Sequence, residues 1–164
     1  MTDTMTDRFC RWFVYEKETN AKVLGSLATV PENRREEDPY REALELFGHM
    51  IAARSFWLYR FGIAPQPENL FPEETSIDDL AARAQTMYAA WDGYLATLTD
   101  SELSNCFEYQ STEGDKYRNK KEDILKQLSD HGRYHCGQIA SRIKACGGTA
   151  ATTDYVFFVR ELVK

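Results

Sequence analysis

Four segments of about 20 residues carry apolar side chains every three or four positions, and glycine or proline closes three of them. That period matches the α-helical turn, so each segment must bury one face. The first runs from about Asp7 to Val30, with Phe9, Phe13, Asn20, Leu24 and Leu27 near one face and Trp12 and Val23 widening it. Thr6 or Asp7 is placed to cap it. Asn20 is the odd polar member of this stripe. It reads as a stripe-edge residue bonded to water; the competing reading supports a nearby site. The second segment, Tyr40 to Phe61, presents Ala43, Leu46, Phe47, Met50, Trp57, Leu58 and Phe61 and stops at Gly62. The third starts at Ser76 and repeats Leu80, Ala84, Met87, Trp91 and Leu95 up to about Leu98. The fourth spans 121–147, packs through Ile124, Leu125, Leu128, Tyr134, Ile139 and Ile143, and stops at Gly147-Gly148.

The connections complete the expected architecture. The loop IAPQPENLFPEET holds three prolines with apolar Leu70 and Phe71, which suits an ordered lid or a packed crossover. Residues 101–120 alternate Phe107 and Tyr109 with polar neighbours around a Glu113-Gly114-Asp115 turn, so a short irregular hairpin is expected before the last long helix. The aromatic tail DYVFFVRE is expected to pack across the bundle as a short helix or an extended segment. The fold class is therefore all-α: one four-helix-bundle domain over residues 1–164, antiparallel or cytokine-like in its connections.

Charge narrows the function. The formal net charge is −6, so no broad positive field draws in nucleic acid or an anionic membrane, and the Lys116–Lys121 cluster reads as a solvated face. No apolar run has the roughly 18 residues of a membrane span, and the N-terminus lacks a signal-peptide core, so a cytoplasmic protein is expected. The four cysteines form no C-x-x-C pair and read as free thiols.

The chemistry gathers in the fourth helix. His131 and His135 are four residues apart and stack on one face. At about 100° per residue, Tyr134 and Gln138 project to the same side. A face of His, Tyr, His and Gln is too polar for plain packing and too uncharged for a solvated surface. It suits a metal site, with His49 brought over from the second helix as a third imidazole. Zinc or nickel accepts imidazole nitrogen, and three protein ligands leave a position for water or substrate. Tyr134 and Gln138 are the candidate catalytic groups, orienting water or substrate, or else bonding a histidine's free nitrogen. Cys136 lies about 140° around the helix from His131 and is not expected to be a ligand.

The segment around His49 (LFGHMIAARSFWLYRFG), the fourth helix (LSDHGRYHCGQIASRIKACGG) and the DYVFFVRE ending resemble the DinB family, the DinB/YfiT-like metalloenzymes. The resemblance runs over almost the whole chain, and its strongest motif is His131-x-x-x-His135-x-Gly137-Gln138. It implies an up-down-down-up bundle, a homodimer, and nickel or zinc on His49, His131 and His135. The family often has arginine where this chain has Cys136, which leaves any packing or anion contact of that arginine open. Relatives include thiol-dependent S-transferases and a thiol-dependent isomerase. The expected function is accordingly metal activation of a low-molecular-weight thiol or water for S-transfer or hydrolysis. The alternative is a dimeric interaction or stress-response protein whose metal site is structural or vestigial.

Overall fold

A computed structural model of the chain describes residues 3–71 and 76–163. Residues 72–75 of the crossover loop fall outside the described residues. Helix α1 spans Met5–Ala28, α2 Asp38–Arg60, α3 Ile77–Thr97 and α5 Lys121–Ala145. A one-turn 3-10 helix (Glu32–Arg34), a one-turn helix α4 (Asp100–Ser104), a hairpin of β1 (Cys106–Gln110) and β2 (Lys116–Lys120), and a short α6 (Val156–Val159) complete the described elements. No described helix is long and apolar enough to cross a membrane.

Local chemistry sets the helix ends. Thr4, rather than Thr6 or Asp7, caps α1, and Asp7 closes a reciprocal capping box with it. Ser76 caps α3 by accepting from the Asp79 N–H, as its sequence suggests. Thr99 and Glu102 form a second capping box that starts α4, which the hairpin reading of 101–120 did not anticipate. The hairpin itself is regular, with Cys106 opposite Lys120 and Gln110 opposite Lys116. Gly147 ends α5 at φ 76, where residues with a Cβ are strained.

Pairwise contacts fix the helix directions. Thr6 meets Asp100, Phe13 packs on Trp91 and Asn20 bonds Tyr88, so α1 and α3 run antiparallel. Glu42 pairs with Arg142 and His49 with His135, so α2 and α5 are antiparallel. Glu16 lies beside Gly132 and Thr29 bonds Thr149 beyond α5, so α1 and α5 are parallel. The bundle is therefore up-down-down-up over α1, α2, α3 and α5. Helices α1 and α2 sit diagonally, each flanked by α3 and α5. Trp91, Phe47, Leu27, Leu80 and Ile139 are fully enclosed between them. Burying each such side chain contributes about 1.5–3 kcal/mol.

One layer of the core is charged. Glu16 and Arg54, 3% and 7% exposed, form a two-pronged ion pair between α1 and α2. Phe13 and Trp91 each lie 5.2 Å from the guanidinium carbon, and the Trp91 indole N–H donates to the Arg54 carbonyl. Asn20 belongs to the same buried region. It is 3% exposed and donates to the Tyr88 hydroxyl, so it is neither a stripe-edge residue bonded to water nor a neighbour of the histidines. The C-terminal tail packs only in part. Tyr155 and Phe158 close on Tyr15, while Phe157, Leu162 and Val163 stay exposed.

Candidate metal centre

Antiparallel pairing of α2 and α5 brings the three histidines together. The His131 Nε2 lies 3.2 Å from His49 Nε2 and 3.0 Å from His135 Nε2. Two nitrogens on one ion at about 2.05 Å stand about 3.3 Å apart in tetrahedral geometry and about 2.9 Å apart in octahedral geometry. The observed spacings lie between these values, so the triad could hold one ion of either geometry.

The outer nitrogens set the tautomers. His49 Nδ1 lies 2.8 Å from the Leu70 carbonyl, which can only accept. The proton is therefore on Nδ1, and Nε2 offers its lone pair inward. His135 Nδ1 lies 2.7 Å from Gln138 Oε1, and the same amide donates through Nε2 to the Tyr134 hydroxyl at 3.1 Å. His135 therefore also turns a lone pair inward. A proton on His131 Nε2 can satisfy only one of these two acceptors. At least one lone pair in the cluster stays unmatched, which is the donor set a cation completes.

Electrostatics favours the neutral, ligating form. Burial, followed by the neighbouring His135, His49 and Arg54, pushes His131 down to about 4. Burial also lowers His135, against the opposing effect of the hydrogen bond it donates to Gln138. Imidazoles held neutral at pH 7 do not have to lose a proton before binding a metal.

Residues from the crossover loop complete the centre. Phe71 stacks on His49 with centroids 4.2 Å apart and planes 4° from parallel. An open cavity of about 350 Å³ begins at His49 and runs along α2 between Leu70 and the hairpin. The three histidines are half-buried, and His49 is the one that lines this cavity. Cys136 faces the other way. It is 2% exposed against Asn20 on α1, and burial raises its thiol pKa, so it stays an inert thiol.

Four of the five proposed site residues converge directly: the three histidines, and Gln138 through its bond to His135. Tyr134 shares their side of the helix and is 65% exposed; its ring packs edge-on against His135 with centroids 5.2 Å apart, and its hydroxyl accepts from Gln138. Sequence reasoning missed the Leu70 carbonyl, because backbone acceptors leave no mark in composition. It also gave Phe71 no contact, although an aromatic residue in a proline-rich loop was the available signal. The model of the DinB family matches residues 1–161 of the chain. No curated protein and no solved structure matches it.

Proposed function

The chain belongs to the DinB family, and on that premise we propose that it is a metal-dependent enzyme acting on a small molecule. The observation that carries the reading is the convergence of three imidazole Nε2 atoms, one of whose histidines, His49, lines an open cavity. His49, His131 and His135 would hold one nickel or zinc ion. When bound, such an ion supplies acidification of a thiol or water at working pH. The proposed reaction is S-transfer from a low-molecular-weight thiol to an electrophile, or hydrolysis.

The chain's own groups do the positioning. The Leu70 carbonyl and Gln138 hold His49 and His135 in the tautomer whose Nε2 lone pair faces inward. Phe71 covers one face of His49 and limits water on that side. Tyr134 orients the Gln138 amide and, being exposed, is within reach of a molecule entering beside His135. The opening from His49 into solvent favours turnover over a purely structural ion, which would sit in a closed shell. A homodimer is the assembly we propose, with no part for nucleic acid, given the acidic balance.

Metal analysis of purified protein tests the first part. Wild type is expected to carry close to one equivalent of nickel or zinc, and a His131→Ala/His135→Ala double variant close to none. Equal, near-zero metal in both refutes the proposal. A screen pairing small thiols with electrophiles on the loaded protein then tests the chemistry.

A further inference from the structure

The cavity that starts at His49 ends at a cation with bonding capacity unused among the described residues. Arg60 lies eleven residues after His49 on α2, three turns further along. At about 100° per residue it returns to within about 20° of the same face, about 16 Å along the axis. Both residues line the one cavity of about 350 Å³. That cavity continues into a wider one of about 780 Å³, which Arg60, Tyr109 and Leu70 also line.

The guanidinium of Arg60 is held in an aromatic box. Its central carbon lies 4.4 Å from the Phe56 ring centre, 4.5 Å from Trp57 and 4.8 Å from Tyr109. Its one hydrogen bond to the described residues runs from Nη2 to the Gln110 carbonyl, at 2.9 Å. None of the described carboxylates is paired with it. Glu68 and Glu108 line the wider cavity but not the one at His49. The rings fix the plane of the fork and leave Nε and Nη1 without a partner among the described residues. A planar guanidinium with no carboxylate partner among the described residues matches a carboxylate, and the rings around it match an apolar or aryl body.

We propose that Arg60 and its aromatic box form a carboxylate subsite of the His49 cavity, selecting an elongated substrate that carries an aryl or alkyl carboxylate remote from its reacting atom. The subsite stands on Arg60 and its rings alone, whereas its role in selecting substrate rests on the metal-enzyme reading above. The alternative for Arg60 is structural: clamping the hairpin onto α2 through the Tyr109 ring and the Gln110 carbonyl.

Two probes of one shape separate these roles: 3-phenylpropionate and its uncharged amide. Each is titrated at low salt into the full-length protein, metal-free and zinc-loaded, with the Trp57 indole N–H followed by nitrogen–proton correlation spectra. Wild type is expected to bind the acid about tenfold more tightly than the amide. Arg60→Gln is expected to abolish that preference with amide binding unchanged, and Arg60→Lys to keep part of it. Equal affinity of wild type for acid and amide overturns the subsite and needs no variant that must fold. Persistence of the preference in Arg60→Gln also overturns it. The metal-free arm keeps the two proposals apart. Acid preference in a protein that takes up no zinc sinks the metal reading and spares the subsite. Normal zinc uptake without acid preference does the reverse.

Discussion

Replacing Gln138 with leucine removes the single acceptor on the outer nitrogen of His135, a bond of 2.7 Å. In wild type that bond keeps the proton on Nδ1 and leaves Nε2, 3.0 Å from His131 Nε2, free to bind an ion. Without it the ring can turn or move its proton to Nε2, and a ligand is lost for part of the population. Loss of such an outer contact lowers metal affinity by about 10–100-fold, or about 1.4–2.7 kcal/mol. The upper half of that range is expected here, because no other acceptor among the described residues reaches His135 Nδ1. Gln138→Glu keeps an acceptor and adds charge, so its affinity is expected to equal or exceed that of wild type. Tyr134→Phe removes only the hydroxyl that bonds the Gln138 amide, on a residue 65% exposed, where water can replace it. Its effect should stay within about twofold. Competition with a chromophoric chelator for zinc, at fixed pH and salt, measures all three variants. A Gln138→Leu affinity within about twofold of wild type would falsify the tautomer argument. So would Gln138→Glu binding as weakly as Gln138→Leu.

Three further outcomes follow from the packing and the charges. Glu16→Ala leaves the Arg54 guanidinium buried and unpaired, so chemical denaturation should show a loss of about 3–5 kcal/mol, whereas Glu16→Met with Arg54→Met should come close to neutral. Gly148→Ala places a Cβ 2.7 Å from Val30 and 2.8 Å from Ile143 and should cost about 1–3 kcal/mol in the same assay. His131 is held at about 4 in the fold against an ordinary 6.5, so the unfolded chain binds the proton first as pH falls. Metal-free protein should therefore hold its stability above pH 6.5 and lose it steadily toward pH 4. His131→Gln should flatten that part of the melting-temperature profile, and an unchanged slope would count against the buried neutral imidazole.

The bundle and the histidine cluster were legible because both follow helical periodicity. His131, His135 and Gln138 share a face by arithmetic, and Cys136 is turned toward α1 by the same arithmetic. Tyr134 shows where that arithmetic stops: angle around an axis does not give depth, and a tyrosine at the face's edge emerges into solvent. Asn20 was misread as solvated because sequence alone did not show that Tyr88, on another helix, would meet it. The Glu16–Arg54 pair went unread for the same reason. Each residue alone looks like an ordinary surface charge, and only the bundle, which sets α1 and α2 diagonally across one core, buries both. Capping of α1 moved from Thr6 or Asp7 to Thr4 because Asp7 serves as the reciprocal acid rather than as the cap.

The bond from His49 to the Leu70 carbonyl has an energetic consequence. A segment outside the helices helps set the basicity of a ligand, and the same segment walls the cavity beyond it. Linkage requires such an arrangement to act in both directions. A molecule lodged against Leu70 that holds it in place must strengthen the hold on the ion. By the same factor, the ion must strengthen the hold on that molecule. The crossover loop thus couples the two affinities, and a change at Phe71, which stacks on His49 without lining the cavity, should alter both together.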